Sequence, residues 1–207
     1  MSGPSSPGPS PPALWILDRD GTIITETGYL REGEPFDLIP GAAASIRRLN
    51  RAGLAVAVAT NQSAIARGWL SPSGLENIHR AIGEALAREG AHIDAWFACP
   101  HHPEIGEAPW RTECTCRKPA PGLIQMALEH FGVEPAKAVM VGDSLTDLEA
   151  ATGALVPSIL VRTGKGAQQL EQAGDLPLRA ARDLAEVVEQ TLGPEAPPQK
   201  DAKAQDR

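Results

Sequence analysis

The chain has 207 residues, 42% of them hydrophobic, and carries 19 Lys and Arg against 26 Asp and Glu for a formal net charge of -7. One acidic domain fits that length and composition; a multi-domain assembly does not. The acid surplus counts against non-specific binding of nucleic acid or anionic membrane, which needs Lys and Arg to neutralise phosphate.

The opening MSGPSSPGPSPP (residues 1–12) and closing PEAPPQKDAKAQDR (194–207) are rich in Pro and polar residues, so both tails are expected to be disordered around a folded domain over 13–193. The start lacks a basic-then-apolar signal pattern, and no run approaches the roughly 18 apolar residues of a membrane span. A cytoplasmic protein is expected. Leu14 to Leu17 reads as a buried strand that ends in Asp18-Arg19-Asp20-Gly21-Thr22. Residues 40–53 fit an amphipathic helix with Ala43, Ile46 and Leu49 inside and Gly53 as its stop. Leu54 to Ala59 is a second buried strand ending at Thr60-Asn61-Gln62, and Ser73 to Gly90 repeats Leu75, Ile78, Ile82 and Leu86 at helical spacing.

Ile93 to Ala98 reads as a third strand, followed by an irregular loop over Cys99 to Lys118. Pro121 to Phe131 is helical in pattern, Ala138 to Val141 is a fourth strand ending at Gly142-Asp143, Leu145 to Leu155 returns as a helix, Ser158 to Val161 is a fifth strand, and Arg182 to Leu192 closes as a helix. Short apolar strands alternating with helices predict an α/β fold with a doubly wound parallel sheet, which binds ligands outside the carboxyl ends of its strands. The polar clusters all fall there. Trp15 and Trp96 are expected in the core.

A single Asp after a strand is most often a turn or a helix cap. Asp18 and Asp20 after one strand and Asp143 and Asp147 after another are harder to dismiss. Converging carboxylates raise each other's pKa unless a cation neutralises them, and a hard ion such as Mg²⁺ does so with few carboxylates plus a substrate phosphate. Asp147, one helical turn past Asp143, reads as a helix cap or a residue supporting the ligands from behind rather than as a ligand itself.

All three cysteines lie in the irregular loop, as Cys99-Pro-His101-His102 and, twelve residues after His101, Cys114-Thr-Cys116. Three thiolates and one imidazole make a closed tetrahedral site, the signature of structural zinc, and a Pro-rich loop with little apolar content needs such a clip for a core. Spacing alone also admits ordinary buried thiols, and does not choose between His101 and His102.

The series DxDGT at 18–22, TNQ at 60–62, Arg117-Lys118-Pro119 and GDSxxD at 142–147 resembles the four motifs of the haloacid dehalogenase superfamily of phosphatases, in order. The resemblance implies that Asp18 is the nucleophile, that Asp20 is the general acid and base, that Thr60 and Lys118 stabilise the phosphoryl group, and that Mg²⁺ is held by Asp18, Asp20 through its backbone carbonyl, and Asp143. Zinc-bearing members point to Cys99, His101, Cys114 and Cys116 as the zinc ligands. The short stretch from Ile23 to Ile39 implies no large cap domain, and so an open cleft.

Within the superfamily, DRDGTI, TNQSAIARG, CPHHPE, CTCRKP and VGDSLTDLEAA resemble the heptose-1,7-bisphosphate 7-phosphatases over residues 14 to 165. That family implies a small-molecule sugar bisphosphate substrate, a place in nucleotide-heptose and lipopolysaccharide synthesis, and substrate contacts at Glu26, Thr27, Gly28, Tyr29, Asn61, Gln62, Ser63 and Arg117, with Arg117 on the distal phosphate. A monomer is expected. Some members have a lysine where this chain has Ser144. Histidinol-phosphate phosphatase is the nearest alternative, though its metal loop is shorter; a zinc-stabilised binding module without turnover is the non-enzymatic one.

Overall fold

A computed structural model of the protein describes residues 10–195, so the two tails expected to be disordered lie almost wholly outside the described residues. Six strands form one parallel sheet: β1 (Leu14–Leu17), β2 (Ala55–Asn61), β3 (Ala95–Cys99), β4 (Ala138–Gly142), β5 (Ser158–Val161) and β6 (Ala180–Ala181). Their spatial order is β3-β2-β1-β4-β5-β6, so the chain winds outward from β1 in one direction and from β4 in the other. The gap between the carboxyl ends of β1 and β4 is therefore the switch point at which a doubly wound sheet opens a binding crevice.

Side chains on β1 alternate between two cores. Trp15 and Leu17 pack with Val56, Val58, Val139 and Val141 on one face, and Leu14 and Ile16 pack with Ala57, Ala59 and Met140 on the other. Helices α1 (Ala42–Arg51), α2 (Pro72–Arg88) and α6, the closing helix (Leu184–Leu192), cover the first face through Ile46, Leu49, Ile82, Leu86, Val187 and Val188. Helices α3 (Gly122–Phe131) and α4 (Leu145–Gly153) cover the second through Leu123, Ile124, Ala127, Ala150 and Ala151. Burying each large aliphatic side chain in this way contributes roughly 1.5–3 kcal/mol before conformational entropy is subtracted.

Capping residues fix where the helices begin. The Ser71 hydroxyl accepts from Gly74 N (2.9 Å) with Pro72 at the first helical position, and the Asp183 carboxylate accepts from Glu186 N (2.8 Å). Two elements went unseen in the sequence: α5 (Gly166–Ala173), whose polar Gln and Glu content hides its single apolar stripe, and β6, too short for any periodicity. Trp96, expected in the core, is only half-buried. It lies on the edge strand β3, packs against the first core and stacks on His79 of α2, with ring centroids 4.4 Å apart.

His79 presses a titratable ring into this sheet edge; burial, assisted by the Arg19 charge, lowers its pKa to about 3. The unfolded chain takes up a proton near pH 6.5 that the folded one refuses, so the stabilising contribution of neutral His79 is complete above that pH and declines as pH falls. Replacing it with Phe keeps the stack and removes the titration. In urea unfolding, the stability of wild type minus that of His79→Phe is expected to fall by about 1 kcal/mol between pH 6.5 and 5.5. A difference independent of pH would refute this reading of His79.

Candidate active site

Asp18 is the first residue past β1, fixed to the neighbouring strand by its N–H, which donates to Val141 O (2.9 Å). Asp143 follows β4 directly, so the sheet delivers both carboxylates to the switch point. Glycines admit them: a side chain at Gly21 (φ 78°) or Gly164 (φ 56°) would run into the Asp143 carboxylate. Asp147, on the first turn of α4, closes a capping box with Ser144 by accepting from its backbone N–H (3.1 Å). Its other oxygen turns inward. Asp18, Asp143 and Asp147 offer carboxylate oxygens that all lie within 4.8 Å of one another.

One ammonium is threaded through this acidic cluster. Lys118 Nζ donates to Asp18 Oδ1 (2.7 Å), Asp147 Oδ1 (2.6 Å) and Ala59 O (2.7 Å), using all three of its hydrogens in a site from which water is almost excluded. Asn61 holds the lysine from behind: its Nδ2 donates to Lys118 O (2.9 Å) and its Oδ1 accepts from Lys118 N (3.0 Å). The carboxamide expected to touch substrate is thus closed on the lysine backbone.

The remaining residues line a cleft of about 280 Å³ over this cluster. Gln62 Nε2 donates both to Asp20 Oδ2 (3.1 Å) and to Thr60 Oγ1 (2.8 Å), which ties the ends of β1 and β2 together. Glu26, Gly28, Tyr29, Ser63 and Arg117 line the same space, as expected; Thr27 does not. Arg117 is anchored by its Nη1, which donates to His101 O (3.1 Å). Three residues outside the expected set complete the site. Arg19, fully buried, forks onto Asp20. Lys165, in the loop after β5, pairs with Glu26 (2.8 Å) while its N–H donates to Asp143 Oδ2 (2.8 Å). Asp147 is the third: it is a cap, as read from its spacing, and also the second carboxylate on Lys118. A Gly-Lys-Gly run two residues after a predicted strand was the available signal for Lys165, since the polar ends of β1, β2 and β4 all feed the same crevice.

Electrostatics show what the cluster lacks. Burial lifts the Asp18 carboxyl to about 8, with Lys118 opposing and Asp147 and Asp20 adding to the rise. Asp143 is lifted to about 6 by burial, against the hydrogen bond from Lys165 N. Burial disfavours the charged form of Lys118, but Asp147 and Asp18 outweigh it and hold the ammonium above its usual range. Three carboxyl groups facing one ammonium in so dry a site cannot all ionise without further positive charge, and that donor set fits a hard divalent cation.

The second cluster sits where β3 ends. Cys99 Sγ lies 3.6 Å from Cys114 Sγ and 3.2 Å from Cys116 Sγ, the latter two are 3.4 Å apart, and His101 Nδ1 lies 3.7 and 3.4 Å from Cys99 and Cys116. Ligands about 2.3 Å from a tetrahedral zinc stand roughly 3.8 Å apart, so the four donors need little adjustment. Burial pushes the Cys99 thiol far above its usual range, so its thiolate requires a cation. His102 is used differently: its Nδ1 accepts from Glu104 N and Ile105 N (3.1 Å each), which folds the loop locally.

Residues 115–187 match the HAD-hydrolase-like family. The chain is 38% identical over 187 residues, 89% of its length and 97% of the relative's, to the D-glycero-β-D-manno-heptose-1,7-bisphosphate 7-phosphatase of Escherichia coli K12. It is 42% identical over 159 residues to the enzyme of the same name from Pseudomonas aeruginosa, covering 76% of this chain and 85% of that one. Among solved structures it is similar to the D,D-heptose 1,7-bisphosphate phosphatase of B. bronchiseptica, crystallised with magnesium and phosphate, with a TM-score of 0.78, 40% identity and coverage of 86% of this chain and 97% of that one. The chain belongs to the haloacid dehalogenase superfamily of phosphatases, within the family of the D-glycero-β-D-manno-heptose-1,7-bisphosphate 7-phosphatases.

Proposed function

We propose that the protein hydrolyses the 7-phosphate of D-glycero-D-manno-heptose 1,7-bisphosphate through an aspartyl-phosphate on Asp18. The observation that carries the reading is the Asp18 carboxylate, fixed 2.7 Å from a buried ammonium at the floor of a cleft that Asp20 and Arg117 also line. An Asp18 oxygen attacks phosphorus, the bond to the sugar oxygen breaks, and Asp20 gives that oxygen a proton. Asp20 then takes a proton from the water that attacks the aspartyl-phosphate, and inorganic phosphate leaves. Thr60 Oγ1 already accepts from Gln62, so its own hydrogen is left to donate to a phosphoryl oxygen.

Mg²⁺ would be held by the Asp18 and Asp143 carboxylates and the Asp20 carbonyl, where its charge offsets that of the phosphoryl oxygens. Zinc would be held by Cys99, His101, Cys114 and Cys116. Its part is structural: the loop it closes ends at Arg117 and Lys118, so ordering the loop aims one cation at the distal phosphate and the other at the reacting one. Glu26, Gly28, Tyr29, Gln62 and Ser63 form the sugar-facing wall. The product carries one phosphate at C1 and serves the synthesis of nucleotide-activated heptose for lipopolysaccharide. The protein acts as a monomer in the cytoplasm on this reading. No helix of the described residues is long and apolar enough to cross a membrane.

Phosphate release with Mg²⁺ from the α and β anomers of the heptose bisphosphate, and from histidinol phosphate, tests the substrate. Rapid release from a heptose anomer, abolished in Asp18→Asn, is expected; release from histidinol phosphate alone would overturn the assignment while leaving the chemistry. Asp147→Asn removes one of the two carboxylates on Lys118 and is expected to lower kcat by ~10–100-fold, because the ammonium then leans toward Asp18 and away from the phosphoryl oxygens. An unchanged kcat would show that Asp147 is a cap and nothing more. Metal analysis should find one zinc per chain, lost in Cys116→Ser together with a drop in thermal stability. A zinc-free wild-type protein of unchanged stability would exclude the structural role.

A further inference from the structure

Among the described residues Arg19 is the one buried arginine, it lies beside the cleft, and the mechanism above gives it no part. Its side chain is 1% exposed, which costs several kcal/mol of ion desolvation unless the charge is used. It is spent on a single neighbour. Arg19 Nε donates to Asp20 Oδ2 (3.1 Å) and Nη2 to Asp20 Oδ1 (3.0 Å), while Nη1 is buried with no partner. Every side-chain hydrogen bond that this guanidinium makes among the described residues therefore falls on Asp20. Its own carbonyl accepts from Ile23 N (2.9 Å) and Ile24 N (3.1 Å), so the segment carrying the fork is itself tied down.

The two oxygens of Asp20 are not equivalent. Three nitrogens crowd Oδ2: Arg19 Nε and Gln62 Nε2 at 3.1 Å and Arg19 Nη2 at 2.9 Å. Only Nη2, at 3.0 Å, reaches Oδ1. A carboxylate offers about four lone-pair sites, so the spare one belongs to Oδ1. We propose that Arg19 is the positioning residue for Asp20, holding its carboxylate against the cleft wall and assigning proton transfer to Oδ1. The inference rests on the reading of Asp20 as general acid and base, and goes beyond it by naming the oxygen and the residue that selects it. Without the fork the carboxylate rotates, both oxygens compete for donors, and the proton is delivered from the wrong place. Misplacement by about 1 Å costs on the order of 100-fold.

The two chemical steps separate this role from a merely structural one. With p-nitrophenyl phosphate, the Asp18–phosphorus bond forms as the bond to the aryl oxygen breaks, and p-nitrophenolate departs with no need of a proton. Breakdown of the aspartyl-phosphate still needs Asp20 to take a proton from water. Arg19→Met is therefore expected to give a burst of about one p-nitrophenolate per active site at near wild-type rate, then a steady state slower by ~10–100-fold. On the heptose bisphosphate both steps need Asp20, so the variant shows slow turnover with no burst and little change in KM. Burst and turnover are read in the same sample, so their ratio is independent of the folded fraction. Should Arg19→Met give no folded protein, Arg19→Lys carries the same test, since one ammonium cannot fork across both oxygens. A burst rate that falls in step with turnover, or kinetics unchanged on both substrates, would overturn the proposal. Acid-quenched wild-type protein that never carries phosphate on Asp18 would instead sink the mechanism on which it rests.

Discussion

The site depends on one buried ammonium. Lys118 has no solvent to fall back on, so each of its three hydrogens must meet an acceptor, and those acceptors come from β1, β2 and α4. A buried charge left unpaired costs several kcal/mol, which makes the three elements mutually dependent. The strand carrying Asp18, the strand end carrying Ala59 and the helix start carrying Asp147 must all be in place before the lysine can be. Ser144 then has a purpose besides opening a helix: its N–H holds one oxygen of Asp147 so that the other faces Nζ.

The loop from β3 to α3 is built to serve the same lysine. Cys99 closes the edge strand, and its carbonyl accepts from Gln62 N (2.7 Å), which joins the cysteine cluster to the segment that holds Asp20 and Thr60. At its other end the loop reaches Asn61, whose carboxamide closes on the Lys118 backbone from both sides. The side chain of Arg117 leans on the His101 carbonyl. A loop with so few apolar residues cannot hold these positions by packing. The cysteine and histidine side chains converge where that core is missing, and on the proposed reading their influence on catalysis runs through main-chain geometry rather than through contact with substrate.

Much of this was legible because the chemistry is written at strand ends. β1 and β4 are unbroken apolar runs that stop at aspartates, and the β-alternation that buries Trp15 on one face and Leu14 on the other leaves no doubt that both faces are covered. What escaped the sequence is pairwise. Nothing in the spacing of Asp147 distinguishes a cap from a cap that also grips a lysine 29 positions earlier, because that contact exists only once α4 docks beside β4. Arg19 falls at the unspecified middle of DxD, although an arginine just past a buried strand and beside two aspartates must find a partner somewhere. Trp96 misled for a related reason: its hydrophobicity promised the core, and its place on the edge strand half exposed it.

On the proposed reading, the charge layout also bears on how a doubly phosphorylated ligand enters. A chain of net charge -7 repels such an anion at a distance, so attraction has to be local. At the floor, Lys118 is already committed to two carboxylates, and at the exposed rim Lys165 is committed to Glu26, whereas Arg117 at the wall has no carboxylate within ion-pair distance among the described residues. The free guanidinium matches an inert phosphate, which needs only to be held, and its fork geometry suits that task. The floor matches the reacting phosphate, which alone can use the nucleophile, the proton donor and a divalent ion. A reversed ligand would still bring a phosphate to Arg117, so on the proposed reading this guanidinium anchors the distal phosphate while the choice of reacting end falls to the sugar-facing wall between the two sites.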